Sequence, residues 1–189
     1  MSKIIALYDA CVLYPAPLRD LLMQLAVTDL FHAKWTNQIH DEWIRNLLKN
    51  RPDLTRDKLI KIRNLMNENV RDCLVEKFEN ISTTLKLPDE NDHHVLAAAI
   101  KCSASVIVTF NLKDFPKTIL KKYDIEPQHP DDFMIALFES RPAVVCANAK
   151  TCRLRLKKPA FDAERYLAVL EKQSLPKLVG RLRDYAEII

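Results

Sequence analysis

Glycine is almost missing from this chain. Gly180 is the single glycine in 189 residues, where average usage of roughly 7% would supply about thirteen. Phosphate-cradling loops need glycine because the backbone must take a positive φ or approach the phosphate without a Cβ. The Walker A loop, the dinucleotide-binding fingerprint, the kinase loop and the G-x-S-x-G nucleophile elbow are all excluded together. Phosphate chemistry, if present, must rest on metals or basic side chains.

Two further absences narrow the class. The longest uncharged apolar stretch, Cys102 to Leu112, is too short for a bilayer span. The start, MSKIIALYDA, carries Asp9 and lacks a cleavable apolar region, so neither a secretory leader nor a membrane association is expected. The five cysteines at 11, 73, 102, 146 and 152 form no C-x-x-C and no zinc-type spacing. They are expected to be reduced thiols of a cytoplasmic protein, each acting as a small hydrophobe.

What is present is an ordinary globular mixture, 48% hydrophobic and 29% charged. Charge is unevenly spread: residues 1–140 hold 18 Lys+Arg against 20 Asp+Glu, whereas residues 141–189 hold 11 against 5. The shift at Arg141-Pro142 predicts a main domain over 1–140 and a basic helical extension over 141–189. In the main domain, the apolar runs Lys3–Tyr8 and Ser105–Phe110 predict buried strands, with a short strand near Ile125. Helices are expected after Pro15, from Thr36 or Asn37, from Thr55, from Asp89 or Asn91, from about Lys117, and from Pro130 to Glu139. Leu74 to Leu87 is ambiguous. Near-continuous apolar strands alternating with helices predict an α/β fold, a parallel sheet covered on both faces. Within the tail, helical periodicity appears at Tyr166, Leu167 and Leu170 and again from Pro176.

Ligands of such sheets collect outside the carboxyl ends of the strands. The first strand ends in Asp9 and the second in Thr109-Phe110-Asn111-Leu112-Lys113-Asp114. The acids at Asp89 and Asp92 open the helix preceding the second strand. Each has a plain structural alternative. Asp89 and Asp92 suit a helix cap, Asp9 and Asp114 suit turns, and Glu42 suits a solvated helix face. His93 and His94 lack the i, i+4 spacing of a zinc helix and are expected as caps or surface residues.

The segments YDACVLYP, IHDEWIRNL, LPDENDHHVLAAAI, VIVTFNLKDFP and HPDDFMIALF together resemble a PIN-domain ribonuclease, specifically the VapC-type toxins of toxin–antitoxin pairs. The likeness covers about residues 3–139, and the tail is similar to a helical extension of a subgroup. The resemblance implies a PIN-like parallel sheet and metal-dependent endoribonuclease activity. It places catalytic acids at Asp9, Glu42, Asp92 and Asp114, with Asp9, Asp92 and Asp114 as ligands of Mg²⁺ or Mn²⁺. Supporting roles fall to Asp89, Thr109 and Asn111. Implied partners are an RNA substrate (tRNA, rRNA or mRNA), a cognate antitoxin and a second copy of the chain.

Elementary electrostatics points the same way. Carboxylates gathered at one rim repel by about 4 kcal/mol per pair at 4 Å with an effective dielectric near 20. Oxygen-only donors favour Mg²⁺ or Mn²⁺ over zinc, and water activated by such a cation can hydrolyse a phosphodiester. A haloacid-dehalogenase-like phosphatase is excluded because Asp-x-Asp is broken by Cys11. A receiver domain is disfavoured because the early acidic pair is missing. An RNA- or DNA-processing PIN nuclease outside a toxin system and a non-catalytic PIN scaffold remain as alternatives. The run Lys150, Arg153, Arg155, Lys157 and Lys158 is either solvated surface, an RNA-phosphate contact or an antitoxin-docking feature.

Overall fold

The computed structural model describes residues 4–82 and 85–189. Four short strands, β1 (Ile5–Tyr8), β2 (His32–Lys34), β3 (Val106–Val108) and β4 (Glu126–Gln128), form one sheet in the order β2-β1-β3-β4. Every pairing is parallel, with Ala6 opposite Ala33 and Val106, and Ile107 opposite Pro127. The central strands are apolar because both of their faces are covered. In β3 all three residues are buried. The edges carry His32 and Lys34 on one side and Pro127 on the other, residues suited to an edge that must not pair further.

The first half of the chain supplies α1 (Ala10–Leu13), α2 (Ala16–Ala26), α3 (Asn37–Asn50), α4 (Arg56–Asn69) and α5 (Glu79–Ser82). The second half supplies α6 (His93–Lys101), α7 (Lys117–Leu120), α8 (Pro130–Ser140), α9 (Pro142–Arg155), α10 (Ala163–Glu171) and α11 (Pro176–Arg183). The helix starts follow cap chemistry: Thr36 accepts from the Ile39 N–H at 3.0 Å, and Asp162 accepts from the Arg165 N–H at 2.8 Å. Tyr8, Phe31, Trp35 and Phe133 form the aromatic centre of the core, with Phe31 and Phe133 edge to face at 5.0 Å.

Two buried polar groups fix the helices next to the strand ends. Arg19 donates from Nη1 to the Leu13 carbonyl at 2.6 Å and lies 4.8 Å over the Trp43 ring, so it ties the end of α1 to α3. His40 accepts the Trp43 indole N–H on Nδ1 at 3.0 Å. Its Nε2 then donates to Asn67 Oδ1 at 2.9 Å, an oxygen that also takes the Trp35 indole N–H at 2.8 Å. Burial first of all pushes the His40 imidazole down to about 4, keeping it neutral in this network.

The tail packs on the core through α9 against α2 and α11 against α8. Asp131, 3% exposed, accepts the Lys177 and Leu178 N–H groups at 2.9 Å each and so caps α11 from a different helix. Arg155 reaches Asp20 at 3.2 Å and also bonds Gln24. Among the described residues no helix is long and apolar enough to cross a membrane.

Several expectations shift. Strand β2 was not anticipated, since His-Ala-Lys offers no apolar run. The expected strand Ser105–Phe110 shortens to β3, though the Ser105 and Thr109 N–H groups still bond Ile5 and Gln128 carbonyls. Within the basic helical extension expected over 141–189, helix α9 lies outside the periodicity read at Tyr166–Leu170 and from Pro176, because its buried stripe is Val145, Cys146, Ala149 and Cys152, small residues with weak apolar signal. The ambiguous Leu74–Leu87 stretch holds a bridge from Leu74 to Trp35 and the single turn α5. Lys3 and the pair at 83–84 lie outside the described residues.

With glycine so rare, six other residues among those described take the left-handed backbone: Asp29, Asp72, Lys77, Ser103, Asp124 and Ser174. Ser103 follows α6, and the Ala104 N–H closes on the Ala99 carbonyl at 2.9 Å, the closure usually built on glycine. The one glycine sits instead inside α11, and a Cβ at Gly180 would meet nothing within 4 Å. Gly180→Ala is therefore expected to stabilise the chain by about 1 kcal/mol, through lower unfolded-state entropy and better helix propensity. Urea denaturation checks this, with a higher midpoint at unchanged slope expected.

Candidate active site

Strands β1 and β3 are neighbours at the point where the connections diverge to β2 and to β4. Crevices in parallel sheets form at such a switch point, beyond the carboxyl ends. Asp9 leaves β1 there, its N–H bonded to the Val108 carbonyl at 3.1 Å, and Thr109 leaves β3 beside it.

Asp9 is 3% exposed. Its Oδ2 accepts the Thr109 hydroxyl at 2.7 Å and the Cys11 thiol at 3.1 Å. Burial pushes the Asp9 carboxyl above the usual carboxylate range; the Thr109 and Cys11 bonds pull the other way, and the charge of Glu42 adds to the upward push. Thr109 Oγ1 in turn accepts the Asn111 N–H at 2.9 Å, and Cys11 Sγ accepts the Phe110 N–H at 3.2 Å. The loop after β3 is thus laced to the end of β1. Thr109 acts through its side chain, whereas Asn111 contributes its main chain and its side chain is exposed.

Asp92 ends the 3-10 turn Glu90–Asp92 and stands at the start of α6 without making a side-chain cap bond. Its carboxyl is pushed up to about 7, first by desolvation and then by the charges of Asp9, Asp89, Asp114 and Glu42. The five sequence-predicted acids thus share one electrostatic neighbourhood, with Asp9, Asp89, Asp114 and Glu42 near enough to act on Asp92. Asp89 is exposed and does what a plain cap does, accepting the Asn91 N–H and amide at 2.9 Å each. Asp114 is half-buried in the turn closed by its N–H on the Asn111 carbonyl at 2.9 Å. Glu42 reaches the rim from α3, its side chain 32% exposed.

Two side chains at the rim were not anticipated. Cys11, expected as a small hydrophobe, is a hydrogen-bonding neighbour of Asp9; its place two residues past the strand-end acid was the available signal. His94 corrects the expectation of a cap or surface residue, because it is 7% exposed with Nε2 3.5 Å from Glu42 Oε2. His93 accepts the Leu87 N–H on Nε2 at 3.2 Å.

Among the described residues, no three His, Cys, Asp or Glu side chains stand together as a ready metal-binding set. The chemistry of the acids nevertheless fits a hard divalent cation, since they offer carboxylate oxygens and carry excess negative charge. Mg²⁺ in particular keeps several waters and binds through one or two carboxylates, so it does not require a closed protein cage.

The basic run lies away from this chemistry in its bonding. Lys150 donates to the Ile188 carbonyl at 3.0 Å, and Arg153 to the Ile189 and Phe161 carbonyls at 3.2 and 2.8 Å. With Arg155 held by α2, three of the five cations are engaged within the chain. Lys157 and Lys158 are exposed beyond the end of α9.

Comparison with known proteins agrees with this architecture. The PIN-domain family model matches residues 6–113, and the chain belongs to that family. A second model, the VapC50 C-terminal domain, matches residues 130–184 and so takes in α8 as well as the tail helices. Over 44 residues the chain is 59% identical to a Mycobacterium tuberculosis protein named "Putative ribonuclease VapC50", which is 23% of this chain and 26% of that protein. The matched stretch thus spans about a quarter of the relative. No solved structure matches the chain.

The raised Asp92 carboxyl gives a signed expectation. An acid whose folded pKa exceeds its unfolded value binds more protons folded than unfolded, so it costs stability as pH rises from about 4 to about 7. In EDTA, Asp92→Asn should stabilise the protein at pH 8 by about 1 kcal/mol, the full shift being discounted for solvent screening at this half-buried position. That advantage should shrink toward zero near pH 4.5. Paired denaturant titrations of both proteins at the two pH values check it.

Proposed function

We propose that this chain is a metal-dependent endoribonuclease, the toxin of a toxin–antitoxin pair, with residues 1–140 carrying the chemistry and 141–189 forming an appended helical unit. The observation that carries the activity is Asp92, driven up to about 7 first by desolvation and then by the acids around it near the β1–β3 switch point. Such a concentration of carboxylates in a PIN-domain chain is relieved by a divalent cation, which Asp9, Asp92 and Asp114 would hold. When bound, Mg²⁺ or Mn²⁺ supplies positive charge that acidifies water and stabilises the leaving oxygen of the cut phosphodiester.

The chain's own residues do the rest. Thr109 and Cys11 fix Oδ2 of Asp9, so this carboxylate cannot swing away from the rim. Asp92 stores a proton near neutral pH and yields it when the local negative charge is compensated. Glu42, the partly exposed acid on α3, is placed to accept a proton from the attacking water. Lys157 and Lys158 are proposed to meet an anionic partner, RNA or an acidic antitoxin segment. The toxin role draws its support from the C-terminal match over residues 130–184 and from the relative's name.

Asp9→Asn and Asp92→Asn are each expected to abolish RNA cleavage with circular dichroism unchanged. Wild-type cleavage should stop in EDTA and return with Mg²⁺ or Mn²⁺. Undiminished cleavage by Asp9→Asn would contradict the assignment. Growth arrest on induction, relieved by co-expressing a neighbouring small reading frame, tests the toxin role separately.

A further inference from the structure

The fold regroups the basic run of the tail. Lys150 and Arg153 turn back onto main-chain carbonyls, while Arg165 of α10, which lies outside the run, joins what remains. Arg155, Lys157, Lys158 and Arg165 line one surface cavity of about 550 Å³, with Phe161 in its wall. The lining holds four cationic side chains and no carboxylate.

Only Arg155 is paired, with Asp20 at 3.2 Å. Among the described residues no carboxylate forms an ion pair with Lys157, Lys158 or Arg165. The acids nearest in sequence are committed elsewhere: Asp162 accepts the Arg165 main-chain N–H at 2.8 Å, and Glu164 lies 3.7 Å from Arg183.

The cavity is fixed by the main chain around it. An antiparallel bridge pairs Lys157 with Ala160 and folds the segment into a turn that carries Lys158. Arg153 fastens the return of this turn by donating to the Phe161 carbonyl at 2.8 Å. Phe161 is partly buried against the core, and the Arg165 guanidinium lies 4.2 Å from its ring centroid. Stacking of this kind sets the plane of the guanidinium and leaves its edge N–H groups for a ligand.

Lysine and arginine side chains donate and never accept, so the ligand is an acceptor-rich anion. A stacked guanidinium beside two ammonium groups matches phosphodiester oxygens, and cations with an aromatic backing are what single-stranded nucleic acid meets on its binding surfaces. An acidic protein segment would also bring main-chain N–H groups, and this lining has no side-chain acceptor to receive them. The acids around Asp92 repel a polyanion until a cation is bound, so the attraction that gathers RNA has to come from another part of the chain.

We propose that this cavity is a phosphate-binding subsite for RNA, in which Lys157, Lys158 and Arg165 contact the backbone of the strand to be cut. The proposal rests on the nuclease reading above for the identity of the polyanion. It makes the tail part of the substrate-binding surface.

The test uses the full chain in EDTA, where no cleavage is expected, with fluorescently labelled polyuridylate as the probe. The triple variant Lys157→Gln/Lys158→Gln/Arg165→Gln should bind about tenfold or more weakly at low salt, with circular dichroism unchanged. Its log–log salt slope should fall by roughly 0.7 per lost contact, about 2 in all. A control triple at Lys101, Lys121 and Lys122, exposed cations in the segments leading into β3 and β4, removes the same charge and should keep the wild-type slope. In Mg²⁺ the cavity triple should raise KM for RNA while kcat holds within about twofold. An unchanged slope in the cavity triple, or an equal loss in the control triple, would overturn the proposal. So would displacement of the RNA by poly-glutamate as effectively as by unlabelled polyuridylate at equal charge, which would mark a site for an acidic protein or for any polyanion. RNA binding with the expected variant pattern but no cleavage by wild type in Mg²⁺ would instead overturn the nuclease reading and leave the subsite standing.

Discussion

Gathering carboxylates, one of them buried, near the end of one parallel strand pair is the constraint on which the candidate site depends. Placing Asp9 in a position 3% exposed to solvent costs desolvation, and its charge acts together with those of Asp89, Asp114 and Glu42 on Asp92. A fold tolerates such a rim only by holding the acids with local donors and by giving them a proton or a cation to share. Thr109 and Cys11 hold Asp9, and desolvation with the surrounding charge pushes the Asp92 carboxyl up to about 7. The surrounding helices are pinned by buried polar groups that stay clear of the rim, Arg19 on the carbonyls ending α1 and His40 between two tryptophans.

Near-absence of glycine imposes a second constraint. Without glycine the backbone cannot cradle phosphate through its own N–H groups, so the burden of handling a polyanion falls on side chains and on whatever cation they hold. Turns are closed by aspartate, serine and lysine in left-handed conformations, each at a cost of about 1–2 kcal/mol relative to glycine. The tail offsets part of this cost. Asp131 caps α11 across the chain, and Arg181 and Arg183 lie 3.7 Å from Glu139 and Glu164.

The parallel sheet was legible because its two central strands are continuous apolar runs that end in polar residues. That pattern alone placed Asp9 and Thr109 at one edge. The helix faces of α2, α3, α10 and α11 were legible through leucine spacing. By contrast, β2 escaped because three edge residues carry no periodicity, and α9 escaped because small side chains and cysteines make up its buried stripe. His94 looked like one more polar residue in an acidic stretch, since nothing local marks a side chain that is buried beside a residue fifty-two positions earlier. In the basic run, where the sequence left solvated surface, RNA contact and partner docking open, Lys150, Arg153 and Arg155 bond to the chain itself, a use that no local pattern could signal.

The central claim is that the rim stores negative charge which a divalent cation relieves. Proton release on metal binding measures this directly, because a carboxyl held at about 7 must ionise when a cation arrives. Mn²⁺ titration calorimetry at pH 7, repeated in buffers of different ionisation enthalpy, should show release of about half a proton per bound ion, falling toward zero at pH 9. Binding with no buffer dependence at pH 7, or no binding at all, would contradict the account.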